Sequence, residues 1–208
     1  MPTLGNPDGA PKAHPEASDP PSGGPGKRRA TLLITGALLT ALVVAGIVAA
    51  LTIPGTTTPV LSGRSGGKAP AFSLAVLAEP NGTVSSSQLS GEDLVLNFWA
   101  SWCFPCQQEM PTLQQASLRL RGKVRFVGID TNDTRSAALG FLARVHVSYL
   151  TLFDPHGDVA GSYGLFGLPT TVFVSHTGIV IGRHSGQFDA AGLQAALTQA
   201  FGASAAGS

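Results

Sequence analysis

The sequence predicts an α/β fold, with a mixed central sheet flanked by helices and one transmembrane helix before it. Three observations predict this arrangement. One stretch of the 208-residue chain, Leu32–Ile53, is almost wholly apolar. Beyond it, short apolar runs suited to buried strands alternate with segments of helical spacing. The chain then closes with two strands joined by a short turn and a final helix, an order that mixes parallel and antiparallel pairing.

The N-terminal part of the chain divides into three segments of contrasting composition. Residues 1–29, rich in Pro, Gly, Asp and Ser, predict a disordered tail. Residues 30–53 contain no charged side chain and are long enough to cross a bilayer as a signal-anchor helix. The basic triplet Lys27–Arg29 predicts a cytoplasmic tail and an extracytoplasmic remainder, hence a single-pass protein of the cell membrane. Residues 54–68 predict a flexible linker.

Two alternatives remain for the apolar segment. A cleaved signal peptide usually has a shorter apolar core, of about 7–15 residues, behind a short basic head. A helix buried in a soluble core is disfavoured because no polar face is present. The length of the segment and of the polar leader before it favours an uncleaved anchor.

Residues 69–203 form the one stretch able to bury a sizeable core, and they are of single-domain size. Asp189 is the expected N-cap of the closing helix, and Pro111 is expected to kink the first one. The predicted strands are Leu94–Trp99, Val124–Ile129, Leu150–Phe153, Thr170–Val174 and Ile179–Gly182, and the predicted helices run from the Cys103–Cys106 region through Leu120, over Ser136–Val145 and over Asp189–Phe201.

Composition excludes several classes of function. The 13 basic and 12 acidic residues give a net charge of +1, so there is no electrostatic basis for nucleic-acid binding. The two cysteines are too few for a disulfide-dense small fold or a four-thiolate zinc site.

The two cysteines, Cys103 and Cys106, are three positions apart and follow a predicted strand where a helix should begin. A helix N-terminus carries partial positive charge and unpaired backbone N–H groups, and both favour a thiolate. Pro105 suits the first helical turn, where its missing N–H costs nothing. Cys103 is the expected nucleophile and Cys106 the resolving thiol, so that the pair cycles between dithiol and disulfide.

Two structural alternatives compete with a redox pair. Half of a zinc site would need two further ligands, and the five histidines show no ligand spacing. A purely structural disulfide would close a loop too short to add much stability. Neither a metal nor any cofactor besides the cysteine pair is therefore expected.

Three segments resemble one family. Leu96–Pro111, LNFWASWCFPCQQEMP, resembles the active-site stretch of thioredoxin-fold proteins, and specifically of the TlpA/ResA-like membrane-anchored thiol–disulfide oxidoreductases. Ala69–Leu74 is similar to that group's initial segment, and Tyr163–Val174 to its cis-proline loop. The similarity spans residues 69–203 and implies a thioredoxin-like fold.

The resemblance also implies roles for individual residues. Pro169 matches the cis-proline that faces the cysteines and presents backbone groups to an extended substrate, and Leu168 would line the same groove. Glu109 matches an acidic residue that handles protons during exchange, provided that burial raises its pKa. The candidate catalytic residues are Cys103, Cys106 and Glu109, and the candidate substrate-binding residues are Trp102, Phe104, Pro105, Leu168 and Pro169.

Two positions depart from relatives. Asn97 stands where cytoplasmic thioredoxins have a buried Asp, and because Asn does not titrate, a proton relay through this position is excluded. Phe104 replaces a small or polar residue between the cysteines and leaves the redox potential open. Trp99, Trp102, Phe104 and Phe166 are expected to form an apolar rim near the thiols.

The resulting function hypothesis is an extracytoplasmic enzyme that exchanges disulfides with protein substrates. By resemblance, one duty is to reduce apocytochrome c cysteines before haem attachment, with electrons supplied by a membrane partner. The alternatives are a DsbE-like oxidase that donates disulfides to secreted proteins, a peroxide-reducing enzyme, and a non-catalytic anchored module that binds peptides beside Pro169.

Overall fold

The computed structural model describes Leu61, residues 66–79 and residues 81–202, together with Thr40, Val43 and Val44, which are helical. The tail predicted over residues 1–29 and most of the predicted anchor and linker lie outside the described residues. Within the part that is described, no helix is both long and apolar enough to cross a membrane.

The described residues between 66 and 202 form seven strands, four α-helices and one 3-10 turn, Ser86–Leu89. The strands are β1 (Ser73–Val76), β2 (Thr83–Ser85), β3 (Asp93–Trp99), β4 (Val124–Thr131), β5 (Leu150–Asp154), β6 (Thr170–Val174) and β7 (Val180–Ser185). The helices are α1 (Phe104–Arg119), α2 (Arg135–Val145), α3 (Asp158–Ser162) and α4 (Ala190–Phe201).

The strands make a single sheet in the order β2-β1-β5-β4-β3-β6-β7. The three central strands β3, β4 and β5 run parallel, because α1 and α2 cross over between them. The outer strands are antiparallel, with β6 and β7 joined as a hairpin. The mixed sheet and the closing hairpin predicted from the sequence are confirmed.

Strand β3, one of the three central strands, is buried on both faces, and its side chains alternate between two apolar layers. Leu96 and Phe98 pack with Tyr163 and the strands β4 and β6 on one side. Val95 packs on the other side against α1 and α4, through Leu113 and other residues. Asn97 follows the alternation of Val95 and therefore faces α1, which carries the cysteines.

Some elements differ from expectation. The first two strands, the 3-10 turn and the short α3 lack any strong periodic pattern and were not predicted. Strand β7 extends to Ser185, three residues beyond the predicted end, because it pairs with β6 as far as Thr170. Helix α1 continues through Pro111 as one element, and Asp189 caps α4 as expected, its carboxylate accepting from Gly192 N–H at 2.7 Å.

Residues 66–68, which precede the predicted domain, form backbone hydrogen bonds with the free edge of β7. Gly66 N–H donates to the Val180 carbonyl and Val180 N–H to the Gly67 carbonyl, both at 2.9 Å. Lys68 forms a bridge with Ile179. The end of the segment predicted as linker therefore covers a sheet edge that would otherwise expose unpaired backbone groups.

Candidate active site

Cys103 and Cys106 form a disulfide at the N-terminus of α1, with an S–S bond of 2.02 Å and Cα atoms 5.3 Å apart. Cys103 is the N-cap residue in extended conformation, and its Sγ accepts the backbone N–H of Cys106 at 3.3 Å. Pro105 occupies the first turn, where a missing donor is tolerated. The helix N-terminus is thus aimed at the Cys103 sulfur, which favours its thiolate form after reduction.

The two cysteines differ in solvent exposure, as expected. Cys103 keeps 5% of its surface exposed, whereas Cys106 is completely buried. An incoming substrate sulfur can therefore reach Cys103 and not Cys106. This order of access matches the roles predicted for nucleophile and resolving thiol.

The Leu168–Pro169 peptide bond is cis, which confirms that Pro169 is a cis-proline. The Pro169 carbonyl accepts the backbone N–H of Gly186 at 2.9 Å, so the loop is tied to the end of β7. Leu168 is partly buried and packs against the apolar cluster that contains both cysteines. The cis-proline loop therefore packs against the same apolar cluster as the cysteine pair.

Glu109 lies one helical turn beyond Cys106 and is completely buried. Its Oε1 accepts from Asn97 Nδ2 at 2.8 Å, and its Oε2 accepts from the backbone N–H of Phe188 at 3.0 Å. Burial raises the pKa of Glu109 to about 7, and the two donated hydrogen bonds oppose that rise. A carboxyl with this pKa can take up or release a proton near neutral pH.

The loop after β4 holds the segment that precedes Cys103. An Asp133 carboxylate oxygen accepts the backbone N–H of Ser101 at 2.6 Å, and the Asn132 carbonyl accepts Trp102 Nε1–H at 3.0 Å. Sequence reasoning missed both residues. A signal was present, since a polar Asn-Asp pair follows β4, and the carboxyl ends of adjacent parallel strands meet at one edge of a sheet.

Three aromatic side chains near the active-site segments are exposed: Trp102 at 63%, Phe104 at 66% and Phe166 fully. Trp99, also expected at the rim, is instead completely buried and packs on Phe141 with ring centroids 5.2 Å apart. That expectation was wrong because Trp99 ends β3 on the face covered by α1 and α2.

A second buried carboxyl, Asp130, is paired in register with Trp99. Neither of its oxygens has a hydrogen-bond partner among the residues that the structure describes. Burial, and next the negative charge of Asp133, raise the pKa of Asp130 to about 8. Asp130 is therefore neutral over most of the physiological range.

No group of three or more His, Cys, Asp or Glu side chains could hold a metal ion among the described residues. The disulfide is the redox group that the site presents, and no cofactor is positively indicated.

A family model described as Redoxin matches residues 64–204. The thiol:disulfide interchange protein DsbE of Xylella fastidiosa is 34% identical over 156 residues, which is 74% of this chain and 78% of that protein. The thiol-disulfide oxidoreductase ResA of Oceanobacillus iheyensis is 33% identical over 118 residues, 55% of this chain and 62% of that protein. A solved structure from Chlorobium tepidum, described as a thiol:disulfide interchange protein DsbE, aligns with a TM-score of 0.62 at 32% identity and covers 69% of this chain and 99% of that one.

Proposed function

The chain belongs to the Redoxin family and is a thiol–disulfide oxidoreductase of the DsbE/ResA type, and from this premise we propose that it reduces protein disulfides outside the cytoplasm while anchored in the membrane. The observation that carries the proposal is the Cys103–Cys106 disulfide at the N-terminus of α1, in the apolar cluster against which the cis-proline loop packs. A buried structural disulfide would need neither the helix end nor the loop.

Exchange begins at Cys103. Its thiolate attacks one sulfur of the substrate disulfide, a Cys103–substrate bond forms, and the departing substrate sulfur takes a proton from water. The Cys106 thiolate then attacks Cys103 Sγ and expels the second substrate sulfur, which is also protonated. Two electrons pass from the cysteine pair to the substrate, and the enzyme is left with its own disulfide.

Glu109 handles the proton of the resolving step. Cys106 is completely buried, so its thiol is poorly placed to lose a proton to water. The Glu109 carboxylate, one turn along α1, accepts that proton and becomes neutral as the Cys106 thiolate attacks. Its raised pKa makes both protonation states accessible near pH 7.

The substrate binds along the surface beside Cys103. Exposed rings of Trp102 and Phe104 and the exposed Pro105 provide apolar contact on the helix side, and Leu168 provides it on the loop side. Buried Pro169 fixes the direction of the backbone groups that precede it. An extended segment flanking a substrate cysteine fits this surface, because apolar contacts and backbone hydrogen bonds place few demands on its sequence.

Reduction is proposed over oxidation because of the TlpA/ResA-like pattern in the sequence. Apocytochrome c cysteines awaiting haem are the proposed substrates, and a membrane protein that carries electrons from the cytoplasm is the proposed donor. Reduction outside the cytoplasm needs such a donor, since that compartment is oxidising.

The location rests on the apolar segment 30–53 and the basic residues before it. The described residues of that segment, Thr40, Val43 and Val44, are helical, and the two valines are 57% and 58% exposed. Apolar side chains projecting from a helix are what lipid would cover. The proposed orientation has the N-terminus in the cytoplasm.

A trapping experiment tests the exchange chemistry. Cys106→Ser in the full-length chain leaves Cys103 unable to be resolved, so covalent adducts that a reductant releases should accumulate in cells. Cys103→Ser is the matched control and should trap nothing. Absence of adducts with Cys106→Ser, together with failure of the wild-type chain to reduce or oxidise a test disulfide, contradicts the proposed function and favours an inert binding module.

The direction of transfer is tested by equilibrating the Cys103/Cys106 couple with glutathione. A reductase should give a strongly negative potential, near the value of about −270 mV known for thioredoxin. A potential near about −120 mV, the oxidising end of the scale, would instead indicate a disulfide donor.

A further inference from the structure

Asn97 occupies the space between Glu109 and β6. It is 2% exposed, and its Nδ2 donates to Glu109 Oε1 at 2.8 Å and to Thr171 Oγ1 at 3.1 Å. Both amide hydrogens are therefore used. Its carbonyl oxygen, Oδ1, is buried and has no hydrogen-bond partner among the described residues. An unpaired buried acceptor is costly and calls for a physical explanation.

The hydrogen bonds around Glu109 suit only its ionised form. Each carboxylate oxygen faces a donor, Asn97 Nδ2 for one and the Phe188 backbone N–H for the other. A protonated Glu109 must instead donate a hydrogen bond, and neither of these groups can accept one. Asn97 Oδ1 is an acceptor on the side chain that already touches Glu109.

Rotation of the Asn97 carboxamide by half a turn would exchange Nδ2 and Oδ1. Oδ1 would then accept the proton of a neutral Glu109. Oδ1 would also accept a hydrogen bond from the Thr171 hydroxyl. A hydroxyl can accept from Nδ2 in one orientation of the carboxamide and donate to Oδ1 in the other. The unpaired oxygen gains two partners, the two Nδ2 hydrogens lose theirs, and no other side chain has to move.

We propose that Asn97 is a positioning residue whose carboxamide rotates by half a turn when the protonation state of Glu109 changes. It donates a hydrogen bond to the carboxylate and accepts one from the carboxylic acid. This inference rests on the proposed function, in which Glu109 takes the proton from Cys106 while Cys106 Sγ bonds to Cys103. Asn97 holds no proton itself. It keeps the buried carboxyl hydrogen-bonded before and after the transfer, which a fixed donor would not.

The other ionisable groups near Glu109 do not accept a hydrogen bond from its protonated form. Burial, and next the negative charge of nearby Glu109, raise the pKa of Tyr149, so its phenol is neutral. Its hydroxyl is directed to Met110 Sδ at 3.4 Å. Cys106, the remaining ionisable neighbour on α1, is the proton source in the proposed step.

The direct test is a pH titration of the oxidised full-length chain by NMR, following the Glu109 carboxyl carbon and the Asn97 side-chain amide together. As Glu109 becomes protonated, both Asn97 amide hydrogens should lose their acceptors, shift towards free-amide values and exchange faster with water, with the same midpoint. Asn97 amide signals that stay constant while Glu109 titrates would overturn the proposal.

Asn97→Leu provides a second readout. Because Asn97→Leu removes both the donor to the carboxylate and the acceptor for the acid, the Glu109 midpoint should move by much less than the shift of about one pH unit, a tenfold change in proton affinity, that loss of a fixed donor would cause. The matched change at exposed Asn81, Asn81→Leu, should leave it unchanged. A rise of about one unit or more in folded Asn97→Leu would overturn the proposal, because it would show that Asn97 serves only as a donor to the carboxylate. If that variant does not fold, the wild-type titration still decides.

Neither readout needs a substrate. Failure of Cys106→Ser to trap adducts, together with failure of the wild-type chain to reduce or oxidise a test disulfide, would contradict the proposed function and leave the Asn97 result standing. A fixed Asn97 amide would contradict only the inference about Asn97.

Discussion

Trp102 Nε1 donates to the backbone carbonyl of Asn132 across 3.0 Å, although 63% of the tryptophan is exposed. Asn132 has a left-handed backbone, with φ of 54°, a conformation that asparagine tolerates better than most residues. The indole beside Cys103 is therefore held in one orientation before any substrate arrives. A fixed ring loses little conformational entropy on binding.

Replacing Trp102 by Phe keeps an aromatic ring and removes the donor. The ring becomes mobile, and the KM for a protein disulfide should rise about fivefold, which corresponds to one hydrogen bond of about 1 kcal/mol. The rate with a small disulfide reagent, which does not contact the ring, should not change. Leu118→Ala, an exposed apolar change on α1 far from its N-terminus, is the control. Equal effects on both substrates would show that Trp102 acts on the cysteines and not on binding.

The central part of the fold could be predicted because its strands have continuous apolar runs. Buried β3 and β6 and the Asp189 cap of α4 all follow from local patterns. The short β1 and β2 could not be predicted in this way. They are four and three residues long and partly exposed, so their pairing depends on β5, a neighbour far along the chain.

The residues of the active site also divide into those that local sequence predicts and those that depend on distant parts of the chain. The spacing of Cys103 and Cys106 and the sequence before Pro169 identify the reacting groups. The partners of Glu109 could not be predicted, since Asn97 and Phe188 lie 12 and 79 positions away from it and meet it only after folding. The burial of Trp99 was missed for a related reason, because a single aromatic residue at a strand end does not reveal which helix covers it.

Glu109→Gln should impair the resolving step and change its pH dependence. In the wild type the rate of mixed-disulfide resolution should increase as pH rises through about 7, because Glu109 must be ionised to accept the Cys106 proton. The glutamine variant should lack that increase and resolve about 100-fold more slowly near neutral pH, the low end for a positioned acid–base group. Stopped-flow measurement of mixed-disulfide decay at a series of pH values checks both effects.

Glu92→Gln is the matched control for that experiment. Glu92 precedes β3 at the end of the strand opposite to the cysteines and pairs with Arg125 at 3.0 Å on the surface. Its loss should leave the resolving rate and the pH profile unchanged. A wild-type pH profile retained by Glu109→Gln would assign the proton transfer to another group.

Asp189→Ala should lower the free energy of unfolding by about 1 kcal/mol, because the Gly192 N–H at the start of α4 loses its acceptor. Urea unfolding of the full-length chain measures the change. Asp189→Asn should restore most of it, since asparagine caps as well as aspartate. Equal destabilisation by Ala and Asn would mean that the negative charge at the helix end, rather than the hydrogen bond, provides the stability.

Asp130→Asn should change how stability depends on pH. The pKa of Asp130 rises from 3.8 to about 8 on folding, so the folded state favours the protonated carboxyl. The resulting stability is complete below about pH 4 and is lost as pH increases through about 8, where the buried carboxyl must ionise without a hydrogen-bond donor among the described residues. Asparagine is neutral throughout and nearly the same shape. Unfolding free energies should therefore be similar for variant and wild type near pH 4 and favour the variant by up to a few kcal/mol near pH 8.

Burial of Glu109, whose pKa rises from 4.5 to about 7, contributes a further loss of stability with pH that is common to both proteins, so the difference between the two curves isolates Asp130. The exposed change Glu79→Gln is the control and should give a curve parallel to that of the wild type. Parallel curves for Asp130→Asn as well would mean that Asp130 is ionised in the folded protein at neutral pH. Its charge would then have to be compensated by Arg135, the cation whose charge acts on Asp130.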